Sequence, residues 1–257
     1  MNEFLIGLQF LTRISIVRQT VWTEESFGGS VKFFPAIGAV LGILYAAALG
    51  AVHFLNLPIF TGAVGFFLSV WLTGGLHCDG LMDSADGLFS GREREKMLEI
   101  MKDSRAGAFG VVALVTVAAL EISTLAELAN LPVIWICAAV YSAPIIGRLT
   151  MVLVIALFPY ARPEGLGKSF AKYTSRRTLA VALTETIFLL MPLSFVSMML
   201  FLIAVMALGA AIIFALYFGK FATAKLGGVT GDIYGAAEML CEVLSLIIFL
   251  LADVYLK

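Results

Sequence analysis

Seven apolar stretches dominate this sequence, each close to the roughly 20 residues that a helix needs to cross a bilayer core. They run near 33–55, 57–76, 107–128, 133–158, 178–194, 196–218 and 234–256. Backbone polar groups in lipid must be satisfied within the segment that carries them, and a continuous helix does this. The expected fold is therefore all-α: a polytopic integral membrane bundle of about seven transmembrane helices, forming one domain over residues 1–257. Composition agrees, since only 14% of residues are charged and mean hydropathy is +1.00, against about 25% charged in soluble domains. A net charge of −1 leaves no electrostatic footprint for a nucleic acid. Cys78, Cys137 and Cys241 form no CxxC pair and no zinc-ligand spacing. The start of the chain, with Glu3 and Arg13, lacks the pattern of a cleavable leader, so 1–32 is read as an interfacial segment.

Basic residues set the expected orientation. Fifteen of the 17 Lys and Arg fall in 1–32, 77–106, 159–177 and 219–233, and the connections near 56, 129–132 and 195 hold none. By the positive-inside rule the N-terminus and three long loops face the cytoplasm, and the C-terminus lies outside the cell (inner) membrane. Two of those loops stand out: 77–106, which opens on an acidic motif, and 219–233, which is glycine-rich. Residues 92–101 are expected to be helical, with Glu93, Glu95 and Lys96 on a solvated face.

Chemistry concentrates at His77-Cys78-Asp79-Gly80-Leu81-Met82-Asp83-Ser84-Ala85-Asp86-Gly87. Asp79, Asp83 and Asp86 stand at i, i+4 and i+7, on one face of a helix that continues the apolar one before it. Carboxylates this close repel one another unless a cation joins them, and an oxygen-only donor set suits Mg²⁺, Mn²⁺ or Ca²⁺. His77 is a partner for a phosphate or for a metal ligand. Lys102, Ser104 and Arg105 precede a helix N-terminus, where unpaired N–H groups favour an anion. Gly227, Gly228, Gly231 and Gly235 suit a loop pressed against phosphate oxygens, with Lys225 as a counter-charge, Thr230 beside it and Asp232 as a further metal or hydroxyl ligand. Arg148, Glu121 and Glu242 lie inside apolar segments, where ionisable groups face the bundle interior; Glu242 is read as a wall of the site and Glu121 as a partner for Arg148, whereas Glu238 is left open. The residues point to a metal-dependent transfer of a phosphate-linked group to an alcohol, with Asp83 or Asp86 as the base.

The motif Gly74-Gly75-Leu76-His77-Cys78-Asp79-Gly80-Leu81-Met82-Asp83-Ser84-Ala85-Asp86-Gly87 resembles the GGxHxDGxxDxxDG signature of the cobalamin synthase family. Leu98–Gly107 is similar to its LEIMKDSRxG, Ala161–Gly167 to its ARxxGLG, Gly227–Asp232 to its GGxTGD, Phe10–Arg13 to its FLTR and Phe34–Gly38 to its FPxxG. After Arg13 the family usually shows Leu-Pro-Val-Pro, where this chain has Ile14-Ser15-Ile16-Val17. The resemblance implies an adenosylcobinamide-GDP ribazoletransferase. It would use Mg²⁺ to join adenosylcobinamide-GDP and α-ribazole, or α-ribazole 5′-phosphate, and release GMP in the last step of nucleotide-loop assembly. It brings Arg13 and Arg162 into the expected substrate-binding set, with Lys102, Ser104, Arg105, Arg148, Lys225, Gly227, Gly228 and Thr230. Asp79, Asp83, Asp86, Asp232 and Glu242 form the expected metal set, and Asp83, Asp86 and His77 the catalytic one. The active site would face the cytoplasm, with room for a homo-oligomer and for contact with other enzymes of the pathway. A lipid-making CDP-alcohol phosphotransferase is the alternative, weakened by the absence of that family's Ala-Arg pair. A divalent-cation transporter fits less well, because its carboxylates belong near the membrane midplane.

Overall fold

The computed structural model describes residues 3–17 and 22–255; Arg18, one of the basic residues counted in the segment 1–32, lies outside these. It is 82% helical, with no strand among the described residues. Two short helices, α1 (Glu3–Leu11) and α2 (Glu24–Gly29), lead through a 3₁₀ turn into α3 (Phe34–His53). Next come α4 (Pro58–Thr73), α5 (Leu76–Leu88), α6 (Arg94–Ile100), α7 (Ala108–Leu128), α8 (Val133–Leu157) and α9 (Leu166–Tyr173). The chain ends in α10 (Arg176–Leu190), α11 (Pro192–Val196), α12 (Met198–Leu226) and α13 (Gly231–Tyr255). Among the described residues six helical stretches are long and apolar enough to cross a membrane, and the bent α4–α5 pair, taken as one span, brings the number to seven.

Burial separates centre from rim. In the most apolar stretch of α8, 83% of residues are buried, against 22% in the stretch 176–196 formed by α10 and α11. Helix α8 is thus the axis of the bundle, packed by α3, α10, α12 and α13. Gly38 and Gly42 bring α3 onto α8: a Cβ at Gly38 would lie 2.8 Å from the Ile145 Cα, and one at Gly42 3.0 Å from the Tyr141 Cα. In lipid no hydrophobic force drives helices together, so close approach at small residues supplies much of the attraction. The outer surface carries large apolar side chains such as Phe60, Phe67, Phe188 and Ile213, as a lipid-facing surface should.

Two elements depart from expectation. The aspartate run does not continue the helix before it. Gly74 and Gly75 both adopt left-handed backbone, with φ of 68° and 76°, which costs glycine least. They turn α5 by 92° from α4, so α5 leaves the line of α4 and lies across the starts of α7 and α13, at Gly107 and Asp232. Helix α12 also continues to Leu226, so Lys220 and Lys225 ride on its last turns and the expected loop 219–233 shrinks to 227–230.

Candidate active site

The motif segments converge on one end of the bundle. Helices α5 and α13 cross at Gly80 and Gly235, where a Cβ on Gly80 would come within 2.8 Å of the Asp232 carbonyl oxygen and 3.3 Å of the Gly235 Cα. That contact sets the α5 aspartates beside Asp232 at the start of α13. Residues 159–161 pair with the glycine-rich segment, Ala161 N–H donating to the Val229 carbonyl and Val229 N–H to the Pro159 carbonyl, both at 2.8 Å. Arg94 ties these pieces together: Nε donates to the Leu226 carbonyl at 2.7 Å and Nη2 to the Ala161 carbonyl at 3.2 Å. Sequence reasoning missed Arg94, because it sits in a charge run that reads as solvated surface.

Between these pieces lies a cavity of about 240 Å³. Its polar lining includes His77, Asp79, Arg162, Gly231 and Asp232. Arg162 Nη2 donates to Asp232 Oδ2 at 2.8 Å, and the Thr230 hydroxyl donates to the same oxygen at 3.1 Å. Asp79 is exposed and Asp83 half-buried one turn further on. Asp83 feels the charges of Asp79 and Asp232, with Arg162 opposing them. By formal charge three carboxylates thus face one guanidinium at this point of the structure.

Several expected site residues stand elsewhere. Asp86 is buried and accepts from the Gly107 N–H at 2.8 Å and the Gly110 N–H at 2.9 Å. It fills the space that a side chain at either glycine would take. The N-terminus of α7, expected to hold a substrate anion, is therefore engaged by the chain's own carboxylate. Ahead of it Lys102, Ser104 and Arg105 are exposed, and Arg105 pairs with Asp103 at 2.6 Å. Arg13 is exposed and lies against Gly74 at the α4–α5 turn. Lys225 Nζ donates to the Leu88 carbonyl at 3.0 Å, and so closes the end of α5 instead of facing the cavity.

The glycine-rich segment also divides its labour differently from expectation. Gly227 ends α12 in left-handed backbone (φ 72°). Gly228 is pressed on the neighbouring segment 159–161, where a Cβ would lie 2.5 Å from the Pro159 carbonyl oxygen. Thr230 is buried against Asp232. Gly231, named with these glycines from the sequence, is the one at the cavity whose added Cβ would meet nothing within 4 Å.

Arg148 and Glu242 do not reach the cavity. Arg148 is wholly buried, and its Nη1 pairs with both Glu238 and Glu242. A guanidinium in an apolar interior is tolerable only when so paired, so the expected substrate contact and metal ligand are committed to each other. Glu121, expected to pair with Arg148, instead shares a small void with Ser69 and Glu242. His77 is buried where the two regions meet: it lines the cavity, and its Nδ1 stands 3.6 Å from Glu238 Oε2.

The family model described as cobalamin-5-phosphate synthase matches residues 3–250. The chain belongs to this family. It is therefore an enzyme of cobalamin biosynthesis, a transferase held in a membrane. A protein of Desulfitobacterium hafniense named adenosylcobinamide-GDP ribazoletransferase is 40% identical over 249 residues, covering 96% of each chain. Proteins with the same name from Desulforamulus reducens and Fusobacterium nucleatum are 38% and 33% identical, covering at least 97% of each chain. No solved structure matches.

For this cobalamin synthase family member, the fit of a divalent metal rests on donor chemistry. Among the described residues no three His, Cys, Asp or Glu side chains form a ready-made metal centre. Asp79, Asp83 and Asp232 nevertheless act on one another electrostatically, with more negative charge than Arg162 balances. Oxygen donors with surplus negative charge suit a hard cation such as Mg²⁺. Asp86 and Glu242 are less available, since their oxygens already serve Gly107, Gly110 and Arg148.

Proposed function

We propose that this protein transfers adenosylcobinamide phosphate from adenosylcobinamide-GDP to a ribose hydroxyl of α-ribazole or its 5′-phosphate, releasing GMP at the cytoplasmic face of the cell membrane. The observation that carries this reading is the meeting of the α5 acidic face with Arg162 and the α13 N-terminus in one cavity, in a chain whose relatives carry that activity in their name. The attacking hydroxyl oxygen forms a bond to the phosphorus that bears the cobinamide. The bond from that phosphorus to the bridging oxygen breaks, and GMP leaves with the oxygen. Asp79, Asp83 and Asp232 would hold Mg²⁺, which when bound draws charge from the diphosphate oxygens. Asp83 is the carboxylate best suited to take the hydroxyl proton, because Asp86 already accepts from the Gly107 and Gly110 N–H groups. Arg162, fixed on Asp232, and the open backbone at Gly231 at the head of α13 offer positive potential to phosphate oxygens. The surrounding Arg94, Arg162 and Lys225 support a cytoplasmic orientation of this end.

The direct test is incubation of the purified protein in detergent with adenosylcobinamide-GDP, α-ribazole and Mg²⁺. Cobalamin and GMP should appear in equal amounts, and chelation should stop the reaction. Intact substrates after prolonged incubation with well-folded protein would remove the proposal.

A further inference from the structure

The cavity has two unlike walls. One is the charged wall of Asp79, Arg162 and Asp232. The other is aromatic and comes from elements that the chemistry has not used: Phe10 on α1 and Phe170 on α9, with ring centroids 5.5 Å apart and planes at 68°. Behind them Phe27 stacks on Phe170 at 4.3 Å, and the Trp22 ring lies 6.4 Å from Phe10. Rings braced on rings in this way form a rigid surface, and rigid aromatic surfaces bind flat bases at low entropic cost. At the rim Leu166 is 68% exposed although it is a large apolar residue, and it lines the same cavity.

Size and polarity select the occupant. A cavity of about 240 Å³ lies just below the roughly 300–1,000 Å³ of sites that enclose drug-sized ligands. One nucleoside fits; a corrin macrocycle with a nucleotide attached does not. Two flat bases take part in the proposed reaction. Guanine has a polar edge that must find hydrogen-bond partners when buried, and Phe10, Phe170 and Leu166 offer none. The base of α-ribazole is a dimethylbenzimidazole whose one free polar atom is a ring nitrogen, so it brings a single acceptor to be met, by the Tyr160 or Tyr234 hydroxyl of the same cavity, where guanine brings a whole polar edge.

We infer that the Phe10–Phe170 wall, with Leu166 at its rim, is the base subsite of the acceptor nucleoside and determines which base is accepted. The ribose then points at the acidic wall, and the corrinoid donor brings its diphosphate to the same carboxylates from outside the cavity. This inference rests on the ribazoletransferase reading and adds the placement of its acceptor.

Steady-state kinetics of Leu166→Ala and Phe10→Leu test it. Leu166→Ala changes an exposed side chain, and Phe10→Leu keeps an apolar group in place. Each should raise KM for α-ribazole about tenfold, with KM for adenosylcobinamide-GDP and kcat at saturation of both substrates within about twofold of the parent. Titration calorimetry with α-ribazole alone should show the same weakening in the variants. A rise in KM for the corrinoid donor in place of the acceptor overturns the inference, as does no change in either. If the parent protein forms no cobalamin, the functional reading falls. Failure of the subsite instead leaves parent turnover intact and the acceptor KM unmoved.

Discussion

Two carboxylate-rich regions lie side by side in this protein, and they differ in how their charge is balanced. In the inner one, Glu238 and Glu242 close on the wholly buried Arg148. In the outer one, Asp79, Asp83 and Asp232 share Arg162 at the edge of a cavity, with negative charge left over. The inner group is enclosed around its own guanidinium and holds α8 to α13. The outer group opens on a cavity, and it is there that we propose the cation and the substrate bind. His77 touches both regions and marks the boundary between them.

The sharpest way to break this contrast is a pair of substitutions. Asp79→Asn should lower turnover by about 10²-fold or more while leaving the melting temperature in Mg²⁺-free buffer unchanged or raised, because it relieves repulsion. Arg148→Ala should do the reverse in kind, destabilising the fold by about 3–5 kcal/mol through two buried, unpaired carboxylates. Thermal unfolding and single-turnover assays on both variants would show it; a stable, inactive Arg148→Ala protein would mean that the inner group is catalytic.

Glycines give a second and smaller contrast. Gly228→Ala should destabilise the chain by about 1–3 kcal/mol, since its Cβ presses on the Pro159 carbonyl. Gly231→Ala should fold as well as the parent, because its Cβ meets nothing, yet raise KM for adenosylcobinamide-GDP where the diphosphate approaches the α13 N-terminus. Equal stability losses in the two variants would erase the distinction drawn between them.

The smallest effect is on metal-linked stability. Asp79, Asp83 and Asp232 act on one another with Arg162 opposing them, so added Mg²⁺ should raise the melting temperature of the parent protein, and Asp83→Asn should shrink that rise. A melting temperature that Mg²⁺ leaves unmoved would argue against a metal at these carboxylates.

Much of this was legible in the chain. The seven apolar stretches match the spans to within a few residues at most ends, because hydrocarbon thickness fixes helix length and leaves little to context. The acidic motif was visible as a cluster of carboxylates, and its glycines proved to place it, Gly74 and Gly75 at the turn and Gly80 at the crossing with α13. Helix α12 was the exception: its polar last turns look like loop, yet continue as helix because Lys225 and Arg94 tie that end to α5 and to residue 161.

Which carboxylate does what was not legible. Asp79, Asp83 and Asp86 look equivalent by spacing, but Asp86 is engaged by two N–H groups 21 and 24 residues away. Arg162 and Asp232 meet across 70 residues, and Arg148 and Glu242 across 94. The sequence by itself determined what is local: helix length, the uneven placement of basic residues, and the order of the motifs that identify the family. The tertiary structure decided the charge partners, because a pairing between groups so far apart along the chain depends on which helices cross and where glycine lets them approach.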